Sequence, residues 1–270
     1  MRAVRRWFEL VTGPFRSSWR AGLGWTIAFV LLVVSTVAFW PAFKGSTGLD
    51  AAFKALPKGM LEAFGFQDFT SPAGYLRGGL YEVIVPLMFA AAGVLFANSA
   101  TSGEEDAGRL ELLLAQPITR RAFLAGRSLA ILGWIVILAI VVLVAQVVSD
   151  AAFDLQIADS RIVSTIVLCS LLGAVYASLA IAIAGILARP GLVLSVGLGL
   201  SLVGYLVAAL FPLSDMLAPW AHLSPWDWAL GGDPLVNAAE PWRYAALAVP
   251  SLALVVVGIA AFERRDIRSA

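Results

Sequence analysis

TSGEEDAGRLELLLAQPITRRAFLAGR, residues 101–127, is a polar segment between two long apolar runs. Ser102 and Glu105 have the S-x-x-E spacing of a helix capping box, and Pro117 ends a helix because it lacks a backbone N–H. Leucines recur between them at the spacing of one helix face. This apolar stripe consists of Leu110, Leu113 and Leu114. The segment therefore predicts a short amphipathic helix, residues 103–116, at a membrane surface.

The composition of the whole chain is that of a membrane protein. Of its 270 residues 60% are hydrophobic and 14% are charged, and a soluble domain cannot bury so much apolar surface. The net charge of +1 excludes a broad nucleic-acid surface, so we expect the lipid bilayer and no nucleic acid as a partner.

Six stretches reach the roughly 20 apolar residues that a spanning helix needs. They cover about 21–40, 79–99, 126–148, 162–188, 190–212 and 243–262. Thirteen of the 19 Lys and Arg residues fall on the side that holds both termini and the 101–127 segment, which predicts that this side is cytoplasmic. Thr119 is placed to cap the third span. We therefore expect an all-α integral protein of the plasma or inner membrane, with a single transmembrane domain over 1–270.

The ends of the bundle carry two further elements. Residues 1–20 predict a separate amphipathic helix in the membrane interface, which Gly13-Pro14 is expected to interrupt. The outer segment, residues 212–242, contains five prolines and four tryptophans. It has two interpretations, a broken hairpin that dips into the membrane and closes the outer end, or an ordinary loop with an aromatic belt.

Motifs for catalysis or nucleotide binding are missing. The sequence contains no G-x-x-x-x-G-K-[ST], no H-E-x-x-H and no Cys/His cluster, so we expect no catalytic residue, metal site or bound cofactor. Glu82 is an acidic residue inside a predicted span. It is either a proton or cation site or a carboxylate at the headgroup level, where its charge costs little. A proton relay would need a second intramembrane acid or base.

The fifth span carries small residues at four-residue spacing, which lets helices approach each other closely in lipid. They are Ser195, Gly197, Gly199, Ser201 and Gly204. Packing inside one bundle explains this pattern, and a seam between two copies of the chain is the alternative.

Two pieces of the sequence resemble motifs of one family. Residues 103–120 read Gly-Glu-x-x-x-Gly-x-Leu-Glu-x-Leu-Leu-x-x-Pro-x-x-Arg, and the chain ends with AFERRDIRSA. The first piece is similar to the signature that follows the second span in type-2 ABC exporter permeases. The ending is similar to the Phe-x-x-Arg-Asp close of many members, with Arg264 or Arg265 and then Asp266 at its charged positions.

The resemblance implies a permease half of an ATP-driven exporter for a hydrophobic or amphipathic cargo such as a drug, antibiotic or lipid-like molecule. The helix 103–116 would be a cytoplasmic coupling helix that docks on a separate ATPase subunit, which would bind ATP and Mg²⁺. Its contact residues would be Glu104, Glu105, Arg109, Leu110, Glu111, Leu113 and Leu114. The other half would be a second copy or a paralogous permease. The alternative function is an ion- or proton-coupled secondary transporter that uses Glu82.

Overall fold

The computed structural model describes residues 2–44, 71–108, 119–187 and 189–265, and within these ranges the chain is helical with no β-strand. The α-helices are α1 (Arg2–Phe43), α2 (Pro72–Leu76), α3 (Ile84–Ala100), α4 (Ser102–Asp106), α5 (Arg120–Phe153), α6 (Asp159–Leu187), α7 (Pro190–Leu210), α8 (Ala218–Ala221), α9 (Pro225–Leu230) and α10 (Pro241–Arg264). A π-helical turn covers Arg77–Tyr81 and a 3-10 turn covers Phe211–Leu213. Among the described residues six helical segments are long and apolar enough to cross a membrane, which confirms the predicted fold class.

Three of the spanning helices, α1, α5 and α10, extend at both ends beyond the apolar windows from which they are predicted. The third span is predicted over 126–148, whereas α5 begins at Arg120 because the Thr119 hydroxyl accepts a hydrogen bond from the Ala122 N–H at 3.2 Å. This confirms the predicted cap. At the other end Asp154, with φ 53°, takes the left-handed conformation that ends the helix.

The N-terminal arm and the first span form one helix. The sequence predicts an interruption at Gly13-Pro14, and this prediction is wrong, since α1 passes through both residues. The Ser18 hydroxyl donates to the Pro14 carbonyl at 2.6 Å, and Leu10 packs closely against Gly126 of α5. Packing on α5 thus holds the arm in helical form despite the backbone hydrogen bond that proline removes. The interfacial position of the arm stays a prediction.

The centre of the bundle is α6, with 72% of its most apolar stretch buried, against 17% for α7. It packs against α3 on one side and α10 on the other, while α1 packs along α5. Small residues permit both α6 contacts. A Cβ atom built on Gly173 would lie 2.7 Å from the Cβ of Phe89 in α3, and Gly185 meets the backbone of Gly258 in α10.

The outer segment folds back on the bundle. Trp226 is almost fully buried, and its ring centre lies 5.3 Å from that of Tyr205 in α7. The Ser224 hydroxyl donates to the Gly204 carbonyl of α7 at 2.6 Å, and Leu235 is also buried. These contacts favour the interpretation as a broken, packed segment over that of an ordinary loop.

Candidate functional site

The described part of the predicted coupling helix is α4, a single helical turn that we call the signature turn. The Thr101 carbonyl accepts hydrogen bonds from the N–H groups of Glu104 and Glu105 at 3.0 and 3.2 Å. The Thr101 hydroxyl donates to the Ala97 carbonyl, and the Ser102 hydroxyl is buried without a hydrogen-bond partner. The predicted capping box of Ser102 and Glu105 is therefore wrong, because the helix starts at Ser102 itself and Thr101 takes the cap position.

The signature turn is followed by Gly108, whose φ is +68°. A residue in this conformation cannot continue a right-handed helix, so the prediction of one continuous helix over 103–116 is wrong at this residue. The remaining predicted contact residues lie outside the described part of the chain. They are Arg109, Leu110, Glu111, Leu113 and Leu114. Their contact with an ATPase stays a prediction.

Both glutamates of the signature turn face the chain's own helices. Glu104 is 9% exposed and borders a cavity of about 220 Å³ between α1, α3 and α5. Trp134 of α5 lines this cavity and donates a hydrogen bond to the Ser18 hydroxyl of α1 at 2.9 Å. The side chain of Glu105 is 13% exposed. Both side chains are thus packed against the bundle and offer little surface to a partner.

Glu105 forms an ion pair with Arg265, although 160 residues separate them. The same guanidinium group donates to the Ala184 carbonyl at the end of α6, at 2.8 Å. Of the two arginines that could fill the Phe-x-x-Arg-Asp motif, Arg265 is the one that turns inward, three residues after Phe262. Asp266 lies outside the described residues.

The start of α5 joins the same cluster. The Arg120 guanidinium donates to the Arg265 carbonyl, and Arg121 Nε lies 2.6 Å from Glu263 Oε2. Beneath these charges the rings of Phe123 and Phe262 stack with centres 6.0 Å apart. We call this group the signature cluster. It consists of Glu105, Arg120, Arg121, Phe123, Phe262, Glu263 and Arg265.

Sequence reasoning did not pair Glu105 with Arg265. Both residues lie in the two family-like motifs, carry opposite charges and fall on the side of the membrane that the sequence predicts to be cytoplasmic. That combination was the signal that could have suggested the pair. This signal is not sufficient to identify the pair, because many charged residues lie on that side of the membrane. Only the packing of α6 against α10 determines which of them come together.

At the opposite end of the bundle, Glu82 is part of an ionic bridge. Arg77 Nε lies 3.0 Å from Glu82 Oε2, and another nitrogen of the same guanidinium lies 2.9 Å from Asp233 Oδ2. The bridge connects the start of the second span with the outer segment. This arrangement favours a structural role for Glu82 over that of a proton site.

Asp233 lies in the outer segment between two arginines. Burial raises the pKa of Asp233, and the positive charges of Arg77 and Arg243 oppose this change. Arg243, at the start of α10, is 8% exposed and donates to the carbonyls of Asp227 and Trp228 at 2.8 and 3.2 Å. The outer segment is therefore tied to both the second and the sixth span.

Over residues 13–267 the chain matches the family described as ABC-2 family transporter protein. The chain belongs to this family. An ABC-2 protein is a membrane component of an ABC transporter, with a transport role and not a catalytic one, and this chain is accordingly a multi-pass membrane protein with a permease role. None of the curated proteins compared with it matches.

The predicted seam of this ABC-2 permease divides between two faces of α7. Gly197 is buried, and a Cβ atom built there would lie 2.8 Å from a methyl group of Val94 in α3. Ser201 is also buried, and Gly204 adjoins Tyr176 and Trp226. These three residues serve packing within one chain. Ser195 and Gly199 are exposed on another face, and nothing lies within 4 Å of the place of a Gly199 Cβ. A seam between copies remains a prediction for that pair.

An open apolar groove of about 570 Å³ lies between α6, α7 and the outer segment of the permease. Its walls include Leu179, Val203 and Trp220, and its polar atoms are few. The Ser224 hydroxyl in the wall is already bonded to the Gly204 carbonyl. Among the residues that the structure describes, no three His, Cys, Asp or Glu side chains form a group that could hold a metal ion.

Proposed function

We propose that the chain is the permease half of an ATP-driven exporter in the plasma or inner membrane, with both termini in the cytoplasm. A separate ATPase subunit binds ATP and Mg²⁺ and docks on the segment that follows the second span. Membership of the ABC-2 family and the excess of Lys and Arg on one side support this assignment. This chain itself binds no cofactor.

The observation that carries the proposal is the anchoring of the signature turn. A partner can move the bundle only if the surface on which it docks is attached firmly to the spans. Glu105 is fixed through Arg265 to α6 and α10, and α5 is fixed to the same point through Arg120. The docking contacts are then made by residues 109–114, including Leu110 and Leu113.

The cargo we propose is hydrophobic or amphipathic, such as a drug, an antibiotic or a lipid-like molecule. The support is the open apolar groove of about 570 Å³ between α6, α7 and the outer segment. Its volume falls in the range of pockets that hold small organic molecules, and its lining offers little hydrogen bonding for a polar solute. The second half of the exporter is another copy of this chain or a paralogous permease, which borders α7 at Ser195 and Gly199.

The proposal is tested by co-purification of the full-length chain with an ABC ATPase subunit from the same genome. The intact chain is expected to retain the ATPase, and the double variant Leu110→Asp, Leu113→Asp is expected to lose it. Met216→Asp is the matched control, because Met216 is 79% exposed and lies in the outer segment, which the proposal assigns to the opposite side of the membrane from the docking contacts.

Two results would reject the proposal. One is an intact chain that retains no ABC ATPase. The other is transport that follows a proton gradient and is abolished by Glu82→Gln, which would favour the secondary transporter instead.

A further inference from the structure

Arg265 connects three helices through one guanidinium group. One nitrogen binds Glu105 in α4, and another donates to the Ala184 carbonyl of α6 at 2.8 Å. The group also lies over the ring of Phe262 in α10, 5.3 Å from its centre. Only 15% of the Arg265 side chain is exposed, whereas the neighbouring Arg264 is exposed to solvent. The Arg265 side chain is therefore packed inside the bundle, and the exposed Arg264 is a suitable control position for substitutions of Arg265.

The helices that Arg265 joins to the signature turn form a tightly packed pair. A Cβ atom built on Gly185 would lie 3.0 Å from the carbonyl carbon of Gly258, so the two backbones are in direct contact. Nearby, the hydroxyls of Ser178 and Ser251 are hydrogen bonded at 2.8 Å in a buried position. Since α6 and α10 share backbone and buried polar contacts, we expect them to move together.

The far end of α10 is anchored by a second inward arginine. Arg243 is 8% exposed and donates to the carbonyls of Asp227 and Trp228 in the outer segment. Gly232 also lies against its guanidinium, with 2.8 Å between that group and the place of a Gly232 Cβ. Thus α10 has an arginine at each end, one bound to the outer segment and one bound to the signature turn.

The covalent chain does not connect the signature turn to this pair directly. The turn follows α3 and precedes α5, so a displacement of it acts first on the second and third spans. The Glu105–Arg265 ion pair adds a route into α6 and α10. Both charges are largely shielded from water, and separating them would leave each one poorly solvated, so the pair is expected to stay closed during movement.

We propose that Arg265 is a positioning residue that transmits displacement of the signature turn to α6 and α10, and through α10 to the outer segment. The inference rests on the proposed function, because an ATPase must supply the displacement. It predicts that Arg265 is needed for movement of α10 and not for docking or hydrolysis.

The test uses the full-length chain in complex with its ABC ATPase subunit. Spin labels are placed at Leu31→Cys in α1 and Val249→Cys in α10, both of which are exposed on the outside of the bundle. The distance between the labels is measured without nucleotide and with ATP, in the Arg265→Gln, Arg265→Lys and Arg264→Gln backgrounds. Capture of the ATPase and its rate of hydrolysis are measured on the same samples.

The expected result is an ATP-dependent change of distance that is kept in Arg264→Gln, reduced in Arg265→Lys and lost in Arg265→Gln, with capture and hydrolysis unchanged in all three. A full change of distance in Arg265→Gln would overturn the proposal, as would loss of ATPase capture in that variant. If Arg265→Gln does not fold, a full change of distance in Arg265→Lys would also overturn it, because a lysine cannot bind both Glu105 and the Ala184 carbonyl in the same way. An unsubstituted chain that captures no ATPase would reject the proposed function itself, and the inference with it.

Discussion

Gly185→Ala tests the backbone contact between α6 and α10. The added Cβ would lie 3.0 Å from both the Cα and the carbonyl carbon of Gly258 and closer still to its oxygen. Backbone atoms cannot change rotamer as a flexible side chain can, so α6 and α10 must separate or bend to accommodate the added Cβ. The residue before Gly185 is Ala184, whose carbonyl accepts a hydrogen bond from Arg265. A shift at this point therefore also disturbs the signature cluster.

Two effects of opposite sign determine the free energy of unfolding of this variant. Overpacking of a close contact costs about 1–3 kcal/mol. Alanine is a better helix former than glycine by about 1 kcal/mol. Gly185→Ala is therefore expected to be about 0–2 kcal/mol less stable than the original chain. Gly24→Ala is the matched control, because Gly24 is exposed in α1 and nothing lies within 4 Å of the place of its Cβ. The difference between the two variants isolates the clash, about 1–3 kcal/mol.

The assay is reversible unfolding of the purified chain in mixed micelles by SDS, followed by the fluorescence of its nine tryptophans. Gly185→Ala is expected to unfold at a lower SDS fraction than Gly24→Ala. Hydrogen exchange of residues 102–108 is expected to rise in Gly185→Ala alone. If the two variants unfold at the same SDS fraction, the backbone contact between α6 and α10 does not limit stability, and the reasoning fails.

Three further predictions concern the seam and the outer segment. The double variant Ser195→Leu, Gly199→Leu is expected to reduce the fraction of dimeric permease without unfolding the single chain, as measured by cross-linking in membranes. An unchanged dimer fraction would exclude this face of α7 as the seam. Arg77→Gln is expected to raise hydrogen exchange across the outer segment more than Asp233→Asn, because it removes the cation between two carboxylates. Burial raises the pKa of Asp233 although the charges of Arg77 and Arg243 oppose this, so the folded chain binds a proton there more readily than the unfolded chain. Docking of the outer segment should therefore weaken as the pH rises from 3.8 through the raised pKa of Asp233, and this loss should be smaller in Asp233→Asn. The opposite order of exchange, or an unchanged pH dependence, would contradict this account.

The sequence was sufficient to predict the fold class and the order of the spans, because each span needs a long apolar stretch and few other structures satisfy the backbone in lipid. It was less informative about where helices end. The apolar window of the third span begins only at residue 126, and the start of α5 at Arg120 is indicated by the predicted cap at Thr119 instead. The continuity of α1 through Pro14 depends on packing against α5, which no local pattern reveals.

The candidate site was predicted in part. The position of the signature turn after the second span follows from its polar composition, whereas the sequence predicts a helix that continues through Gly108, where the structure has a left-handed residue. Its attachment to Arg265 could not be predicted, because it requires knowledge of which helix ends lie side by side. The seam residues show a similar limit. The sequence does not distinguish Gly197 from Gly199 as a residue of the seam. The rotation of α7 about its own axis makes Gly197 the packed residue and Gly199 the exposed one.

That rotation is the part of a membrane fold that apolar patterns determine least. In lipid every face of a spanning helix can be apolar, so burial of hydrophobic surface does not select one face over another. Buried hydrogen bonds supply the missing selection here, because each can form in one rotation only. The Tyr81 hydroxyl donates to the Gln146 side chain at 2.8 Å and thereby sets the second span against α5. The pair of Ser178 and Ser251 does the same for α6 and α10. Each of these residues is visible in the sequence as a polar position in an apolar stretch, but its partner is not, so the sequence alone does not determine the helix pairs of this permease.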